Sequence, residues 1–233
     1  MRGKLVRFMQ RCASGVMLLV IAACATAPSP LTGLVPGREM ETLQSAVDVS
    51  IKQGGASRSG HGFLVFQRPD RFHLAVLSPF GQSLFEIYSD GERFVGLLPG
   101  EKTAYAGSLA ELPAAVRLWG MMRWVVERPP VAGPTTGVRD NVTADGRRER
   151  IYYDERGLVV RREAEDGDRV TYREYRNVEG IAFPMEVEIC GREGTTVTVA
   201  FDEPELNRPL EEGVLTPSLG EVKILPFSAF PGF

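Results

Sequence analysis

Few residues of this sequence are placed where they could catalyse a reaction together. The chain contains two histidines, His61 and His73, twelve residues apart near opposite ends of a predicted hairpin, and this separation argues against a shared metal ion. Cys190 lies on the outward side of a predicted strand with no histidine nearby in sequence, a pattern typical of an unreactive thiol. The chain also lacks a nucleophile elbow, a phosphate-binding glycine loop and paired histidines or cysteines. We therefore expect no enzymatic activity, no cofactor and no metal ion.

Cys24 is the residue for which the surrounding sequence predicts a specific chemistry. Residues 1–11 contain four basic side chains and no acidic one, and residues 16–23 form an apolar run that ends in small residues, the pattern of a secretion signal. The stretch Ile21-Ala22-Ala23-Cys24 resembles the lipobox of bacterial lipoproteins. The resemblance implies cleavage before Cys24, attachment of diacylglycerol to its thiol and acylation of the new N-terminus, typically by palmitate. An uncleaved transmembrane helix, the alternative, would need roughly 20 apolar residues, about twice this run.

Cleavage at this position would change the charge and the location of the protein. Removing 23 residues and four positive charges from a chain of 233 residues at −3 leaves 210 residues at −7. Such an acidic chain has no general attraction for nucleic acid, and Cys190 alone cannot form an internal disulfide. Three acyl chains suffice for stable anchoring. Because Ala25 stands where lipoproteins retained in the inner membrane of enteric bacteria commonly carry Asp, we expect an outer-membrane location that faces the periplasm.

The composition of the chain indicates one β-rich domain. With 43% hydrophobic and 24% charged residues the chain is globular, and its 25 glycines and 16 prolines interrupt it too often for a helical bundle. We divide it into a signal peptide (residues 1–23), a lipid-anchored linker (24–37) and a single domain (38–233).

Turn signals divide this domain into strands. Five lie between residues 54 and 100 and five between residues 145 and 194, each about one strand apart. These ten turns predict about eleven antiparallel strands, and alternation such as that of Phe72, Leu74 and Val76 predicts one buried face and one wet face. A sheet of this size with one apolar face is expected to curl into a barrel or half-barrel, whose interior is either packed with side chains or a ligand cavity.

Two segments show helical spacing instead. Arg38 to Val47 predicts a short first helix, and Ser108 to Glu127 predicts an amphipathic helix whose apolar side includes Trp119 and Met122. These helices are expected to cover the mouth of the barrel.

The segment Arg71 to Ile87, in which a strand leads through Pro79-Phe80-Gly81 into a second strand, resembles the LolB family of outer-membrane lipoprotein receptors. The order that follows is also similar: an Asp-Gly hairpin, a helix with the pattern Val116-Arg117-Leu118-Trp119, and a meander from Tyr172 to Leu210 that looks like the wider LolA/LolB-like superfamily. The resemblance implies a mainly β fold with a few helices, namely an unclosed antiparallel β-barrel with a helical lid over a hydrophobic cavity. The chain differs by a Pro/Gly loop at Arg128 to Gly137, an apolar C-terminal tail, and Phe rather than Leu at the family turn.

This resemblance implies a protein that receives the acyl chains of lipoproteins or other amphiphiles and assists their insertion into the membrane. Keeping acyl chains out of water requires apolar area, at about 0.8 kcal/mol for each buried CH₂. The residues expected to line the cavity, with the last two on the lid, are Phe63, Val65, Phe72, Leu74, Val76, Phe85, Ile87, Phe94, Val187, Ile189, Val197, Val199, Trp119 and Met122. Phe80 matches the turn residue with which the family inserts cargo. A periplasmic carrier similar to LolA is the implied upstream partner.

Other interpretations of these residues stay open. The apolar set could fill an ordinary core, and Phe80 could fold back to plug the end of the barrel. The same fold could also serve a lipid-sensing signalling lipoprotein or a structural envelope assembly factor. The apolar tail from Ile224 to Phe233 contains two prolines, so it either packs on the domain or touches the bilayer.

Overall fold

The structure is a computed structural model that describes residues 31–108, 112, 118, 121–126, 136–143 and 146–230. By internal contacts the chain divides into Met1–Thr32 and Gly33–Phe233, and every described strand lies in the second unit. The predicted signal peptide and Cys24 lie outside the described residues. No helix in the described ranges is both long and apolar enough to cross a membrane.

All thirteen described strands belong to one sheet. They are β1 (Thr42–Gln53), β2 (Ala56–Gln67), β3 (Arg71–Leu77), β4 (Ser83–Ser89), β5 (Arg93–Leu98), β6 (Thr103–Ser108), β7 (Gly137–Val142), β8 (Arg148–Tyr153), β9 (Val159–Ala164), β10 (Arg169–Val178), β11 (Ile181–Cys190), β12 (Thr196–Leu206) and β13 (Lys223–Pro226). Their order is β13-β6-β5-β4-β3-β2-β1-β12-β11-β10-β9-β8-β7. The sheet therefore consists of two six-stranded antiparallel meanders, β1–β6 and β7–β12, that meet where β1 pairs with β12.

This order confirms a mainly β, unclosed fold, because the sheet runs from β13 at one edge to β7 at the other. The prediction of about eleven strands was wrong. Five turns connect the six strands of each meander, so ten turns in two separate series delimit twelve strands. The thirteenth, β13, comes from the C-terminal tail and pairs with β6 in parallel, an arrangement that needs no tight turn.

The first predicted helix was also wrong, because strand β1 begins at Thr42. Leu43 and Val47 are four residues apart, a spacing that places two side chains on one face of a helix and equally on one face of a strand. The alternation continues through Val49 to Ile51, and these β-branched residues favour the strand.

A helical lid is not supported either. The α-helix whose bounds the structure describes is α1 (Met122–Val126), which has five residues; Leu118 is also helical, and two short 3₁₀ turns lie at Pro99–Glu101 and Phe227–Ala229. Much of the predicted amphipathic helix, with Trp119, and most of the Pro/Gly loop lie outside the described residues. At the β4–β6 end of the sheet the C-terminal segment, residues 223–230, covers the apolar face.

Alternation buries one face of the sheet in a connected hydrophobic core. Leu64 lies opposite Leu74, and Leu74 lies opposite Ile87. At the junction of the meanders Val49 lies opposite Val199. All five side chains are buried in one cluster. We call the face that carries them the core face and the opposite one the back face.

Candidate functional site

The turn between β3 and β4 exposes an aromatic side chain. Phe80 is 90% exposed and stands between Pro79 and Gly81, which are exposed as well. The turn is held from within: the Ser78 amide donates to the Gln82 carbonyl (2.7 Å) and the Gly81 amide donates to the Ser78 carbonyl (2.9 Å). Gly81 has φ of +77°, which a residue with a side chain rarely adopts. We call Ser78–Gln82 the Phe80 tip.

The hydroxyl of Ser78 also accepts hydrogen bonds from the backbone amides of Phe80 (3.3 Å) and Gln82 (3.1 Å). These bonds fix the backbone without using the Phe80 ring, so the ring contributes no packing to the fold. Leu84, at the start of β4, is 54% exposed and adds to the apolar surface at this end of the hairpin. Exposed apolar side chains placed together are typical of surfaces that contact proteins or membranes.

Most of the predicted cavity residues do lie together on the core face. One connected apolar cluster contains the following members of the predicted set: Phe72, Leu74, Val76, Phe85, Ile87, Phe94, Met122, Val187, Ile189, Val197 and Val199. Phe85 is partly buried and the other ten are buried.

Phe63 and Val65 lie on the back face instead. The run from Phe63 to Phe66 is apolar at every position, so periodicity does not reveal which pair points to the core. The pairing of β2 with β3 shows which pair it is. Leu64 and Phe66 lie opposite Leu74 and Phe72 on the core face, whereas Phe63 and Val65 lie opposite Ala75 and His73 on the back face.

A polar cluster that the sequence did not predict lies on the back face. The ring of His73 is within hydrogen-bond distance of two acceptors, the Val214 carbonyl at Nδ1 (2.9 Å) and the Glu86 carboxylate at Nε2 (3.2 Å). Tyr88 stacks on the His73 ring at 3.9 Å between centroids and donates its hydroxyl hydrogen to Glu86. The Phe63 ring meets His73 edge to face at 5.0 Å. The contact between His73 and the Val214 carbonyl joins the segment that follows β12 to the back face.

The electrostatics of this cluster are strongly shifted. The hydrogen bond from His73 lowers the pKa of Glu86 to about 2, with a further contribution from Tyr88 and against the opposing effect of burial. Burial, and then the hydrogen bond to Glu86, raise the pKa of Tyr88. Glu86 is therefore a carboxylate and Tyr88 a neutral phenol at physiological pH.

A second unpredicted cluster lies on the core face of the other meander. Arg162 and Glu149 form a buried ion pair with three short contacts, Nε to Oε2 (3.0 Å), Nη2 to Oε1 (3.0 Å) and Nη2 to Oε2 (2.9 Å). Asn141 donates to the same carboxylate (2.6 Å), and the guanidinium lies 4.5 Å from the centre of the Trp124 ring. Tyr172 donates its hydroxyl hydrogen to the Trp124 carbonyl. These contacts attach α1 to the sheet.

The described part of the core face contains a small cavity. A cavity of about 20 Å³, room for about one water molecule, remains at the β4–β6 end. Its lining is almost wholly apolar and includes Phe94, Tyr105, Phe227 and Phe230. Ligand pockets for small molecules commonly enclose about 300–1,000 Å³, so an acyl chain would need this region to open.

Reactive groups are sparse elsewhere in the described ranges. Those residues contain no group of three side chains arranged to bind a metal ion. Cys190 is a half-buried free thiol that contacts the Thr196 hydroxyl at 3.8 Å. His61 pairs with Asp48 on the exposed part of the back face. His61 lies opposite Leu77 across the β2–β3 pair, next to the start of the Phe80 tip.

Comparison with known proteins gives one family match and several structural likenesses. The family model described as outer membrane lipoprotein LolB matches residues 42–203, which is more than half of the chain. A DUF1329 family protein from Desulfovibrio piger aligns with a TM-score of 0.53 and 12% identity, over 76% of this chain and 90% of its own. A LolA superfamily protein from Nitrosomonas europaea aligns with a TM-score of 0.48 and 13% identity, over 79% and 93%. No curated protein matches the sequence at a significant level.

Proposed function

The chain belongs to the LolB family of outer membrane lipoproteins, and on that basis we propose that it binds the acyl chains of lipoproteins, or of other amphiphiles, and assists their insertion into the membrane. In this proposal Cys24 carries the lipid anchor after removal of residues 1–23. The anchor holds the domain on the periplasmic side of the outer membrane. The cargo arrives on a soluble carrier similar to LolA.

The Phe80 tip is the observation that carries the proposal. Phe80 is 90% exposed at the end of a hairpin whose backbone is held by its own hydrogen bonds, so its ring is little used in packing the domain. Transfer of such a side chain from water into an apolar phase is favourable by about 1.5–3 kcal/mol. Contact between the tip and the acyl region of a bilayer would therefore bring the hairpin, and a bound cargo, to the membrane.

The core face supplies the second requirement, apolar area for the cargo. Its buried side chains come from both meanders and form one connected cluster. Delivery of an acyl chain from this surface to a bilayer exchanges one apolar environment for another. No bond is made or broken in that transfer, so it requires no catalytic group.

A second candidate function rests on the small size of the cavity. A volume of about 20 Å³ on the described core face also suits a structural envelope assembly factor whose interior stays packed. In that role the surface of the domain, including the Phe80 tip, would bind a partner protein without any lipid cargo.

A transfer assay tests the proposal and separates the two candidates. A fluorescent triacylated lipopeptide bound to serum albumin is offered to vesicles that carry the full-length protein, and its insertion is followed over time. The Phe80→Glu variant should insert lipopeptide about ten- to a hundredfold more slowly, the factor that corresponds to the transfer free energy of the ring. Phe80→Leu should retain most of the activity.

Val138→Glu is the matched control, because Val138 is 57% exposed on β7, the edge strand that lies farther from β3 and β4 in the sheet order. It should leave insertion unchanged. Equal rates for Phe80→Glu and the unmodified protein would exclude the Phe80 tip from the mechanism. If vesicles take up the lipopeptide equally fast with and without the unmodified protein, the result would support the assembly-factor alternative.

A further inference from the structure

The C-terminal segment fills the space that an acyl chain would need at the β4–β6 end of the core face. Phe227 begins a 3₁₀ turn that directly follows β13, and its side chain is 4% exposed. Phe230 packs edge to face on Tyr105, with 5.0 Å between ring centroids. Both rings border the residual cavity of about 20 Å³.

The surface of β5 beneath the Phe227 ring is formed by a glycine and by apolar side chains. Gly96 of β5 lies on the core face, opposite Tyr105, and a Cβ placed there would be 3.7 Å from the Phe227 ring. This is an ordinary van der Waals distance, so the ring lies directly over the backbone of β5. The contacts around this surface are apolar, including Phe94 and Leu98, so hydrocarbon of another shape could replace the ring without leaving a polar group unpaired.

Strand β13, which precedes Phe227 and Phe230, makes few contacts with the rest of the sheet. β13 has four residues and forms the single parallel pair of the described sheet, at its outer edge. Parallel pairing is slightly weaker per residue than antiparallel pairing. Three of the four residues are exposed, and Ile224 is 55% exposed on the back face.

The chain that precedes β13 is buried at Leu215 and more exposed after it. Leu215 is buried, and the neighbouring Val214 carbonyl is bound to His73 on the back face. Residues 216–222 are exposed or half-buried. Residues 223–230 could therefore leave the core face while the segment up to Leu215 stays in place.

From these observations we propose that residues 223–230 are an intramolecular plug that occupies an acyl-chain subsite and is displaced by cargo. The inference rests on the acyl-binding role proposed above. The two benzyl side chains together contain roughly fourteen carbons, close to one long acyl chain, so the exchange would replace one buried hydrocarbon surface by another of similar size. The plug would keep the subsite out of water between rounds of delivery.

Locking the plug tests this proposal directly. Thr103 and Lys223 are partners across the β6–β13 pair, and paired strand positions suit the separation that a disulfide requires. The full-length Thr103→Cys/Lys223→Cys protein, also carrying Cys190→Ser, is reconstituted in nanodiscs. It is exposed to palmitic acid with a photoactivatable diazirine near its methyl end, and crosslinks to β4–β6 are quantified by mass spectrometry. We expect at least tenfold fewer crosslinks in the oxidised form than after reduction.

Two further measurements use the plug without the disulfide. Phe227→Ala should increase crosslinking several-fold, while Ile224→Ser, a change on the exposed side of the same strand, should not. In the unmodified protein, palmitic acid should accelerate amide hydrogen exchange at Leu225 and Phe227, because the segment leaves the sheet. Exchange that slows instead would show the fatty acid binding over an intact plug and would overturn the proposal.

The outcomes separate this inference from the proposed function. Equal crosslinking to β4–β6 in the oxidised and reduced forms would show that acyl chains bind while the segment stays in place, which overturns the plug and leaves acyl binding intact. The scaffold protein of the nanodisc serves as the control for nonspecific crosslinking from the lipid. If neither form of the protein is crosslinked above the level of this scaffold protein, the proposed acyl binding is wrong, and the proposed plug is wrong with it.

Discussion

Breaking the buried ion pair between Arg162 and Glu149 should destabilise the fold more than loss of any surface ion pair. Glu149→Leu removes the carboxylate that receives two guanidinium nitrogens and the Asn141 amide, at a place where both charged side chains are at most 2% exposed. Removal of one partner of a buried pair costs about 3–5 kcal/mol, and loss of the acceptor for Asn141 adds about 1 kcal/mol. We therefore expect the free energy of unfolding to fall by about 4–6 kcal/mol.

Urea unfolding followed by circular dichroism measures this loss. The matched control is Glu186→Leu, because Glu186 pairs with Arg173 across β10 and β11 where the arginine is 46% exposed. This surface pair should contribute less than about 1 kcal/mol. The double variant Glu149→Leu/Arg162→Met leaves no buried charge at this site and should recover much of the lost stability. A loss of stability in Glu149→Leu no larger than that in Glu186→Leu, or a double variant less stable than Glu149→Leu alone, would contradict this prediction.

Two further predictions concern the first meander. The pKa of Glu86 is lowered from its usual 4.5 to about 2. Above pH 4.5 its carboxylate should therefore add roughly 3 kcal/mol at most to the free energy of unfolding, and this contribution should be lost as the pH falls towards 2. Glu86→Gln should remove that part of the pH dependence in acid unfolding curves, and an unchanged slope would contradict the assignment. At Gly62 an added Cβ would lie 1.9 Å from the Ala75 carbonyl oxygen, so Gly62→Ala should cost about 1–3 kcal/mol in thermal unfolding. Gly100→Ala meets nothing within 4 Å and serves as the control; equal melting temperatures for the two variants would refute the clash.

The meanders could be predicted from the sequence because their turns depend on local chemistry. Gly91 and Gly180 have φ of +95° and +86°, and each follows an acidic residue in the short link between two strands. Such dipeptides mark hairpins whatever the rest of the chain does. The turn that carries Phe80 was predictable for the same reason, since Pro79 and Gly81 define it within three residues, but the direction of the Phe80 ring was not.

Register and long-range packing could not be predicted in the same way. Phe63 and Val65 lie in an unbroken apolar run, and only pairing with β3 reveals that they point away from the core. Arg162 takes a core position because Glu149 lies diagonally across the neighbouring strand, thirteen residues earlier. The C-terminal segment covers β4–β6 from more than a hundred residues away in sequence. Each of these features depends on which strands become neighbours, which no local pattern encodes.

The pairing of β1 with β12 also determines when the domain can fold. Leu43 lies opposite Leu206, and the Asn207 side chain bonds the backbone at Glu41, so the middle of the sheet closes a loop of about 160 residues. Each meander can form from local hairpins, but neither has its central neighbour until almost the whole domain has emerged. Contacts this distant in sequence slow folding. Until β12 is available, β1, with Val47 and Val49 on its buried face, would be an unpaired edge able to add to other chains, which predicts a need for chaperone protection during folding.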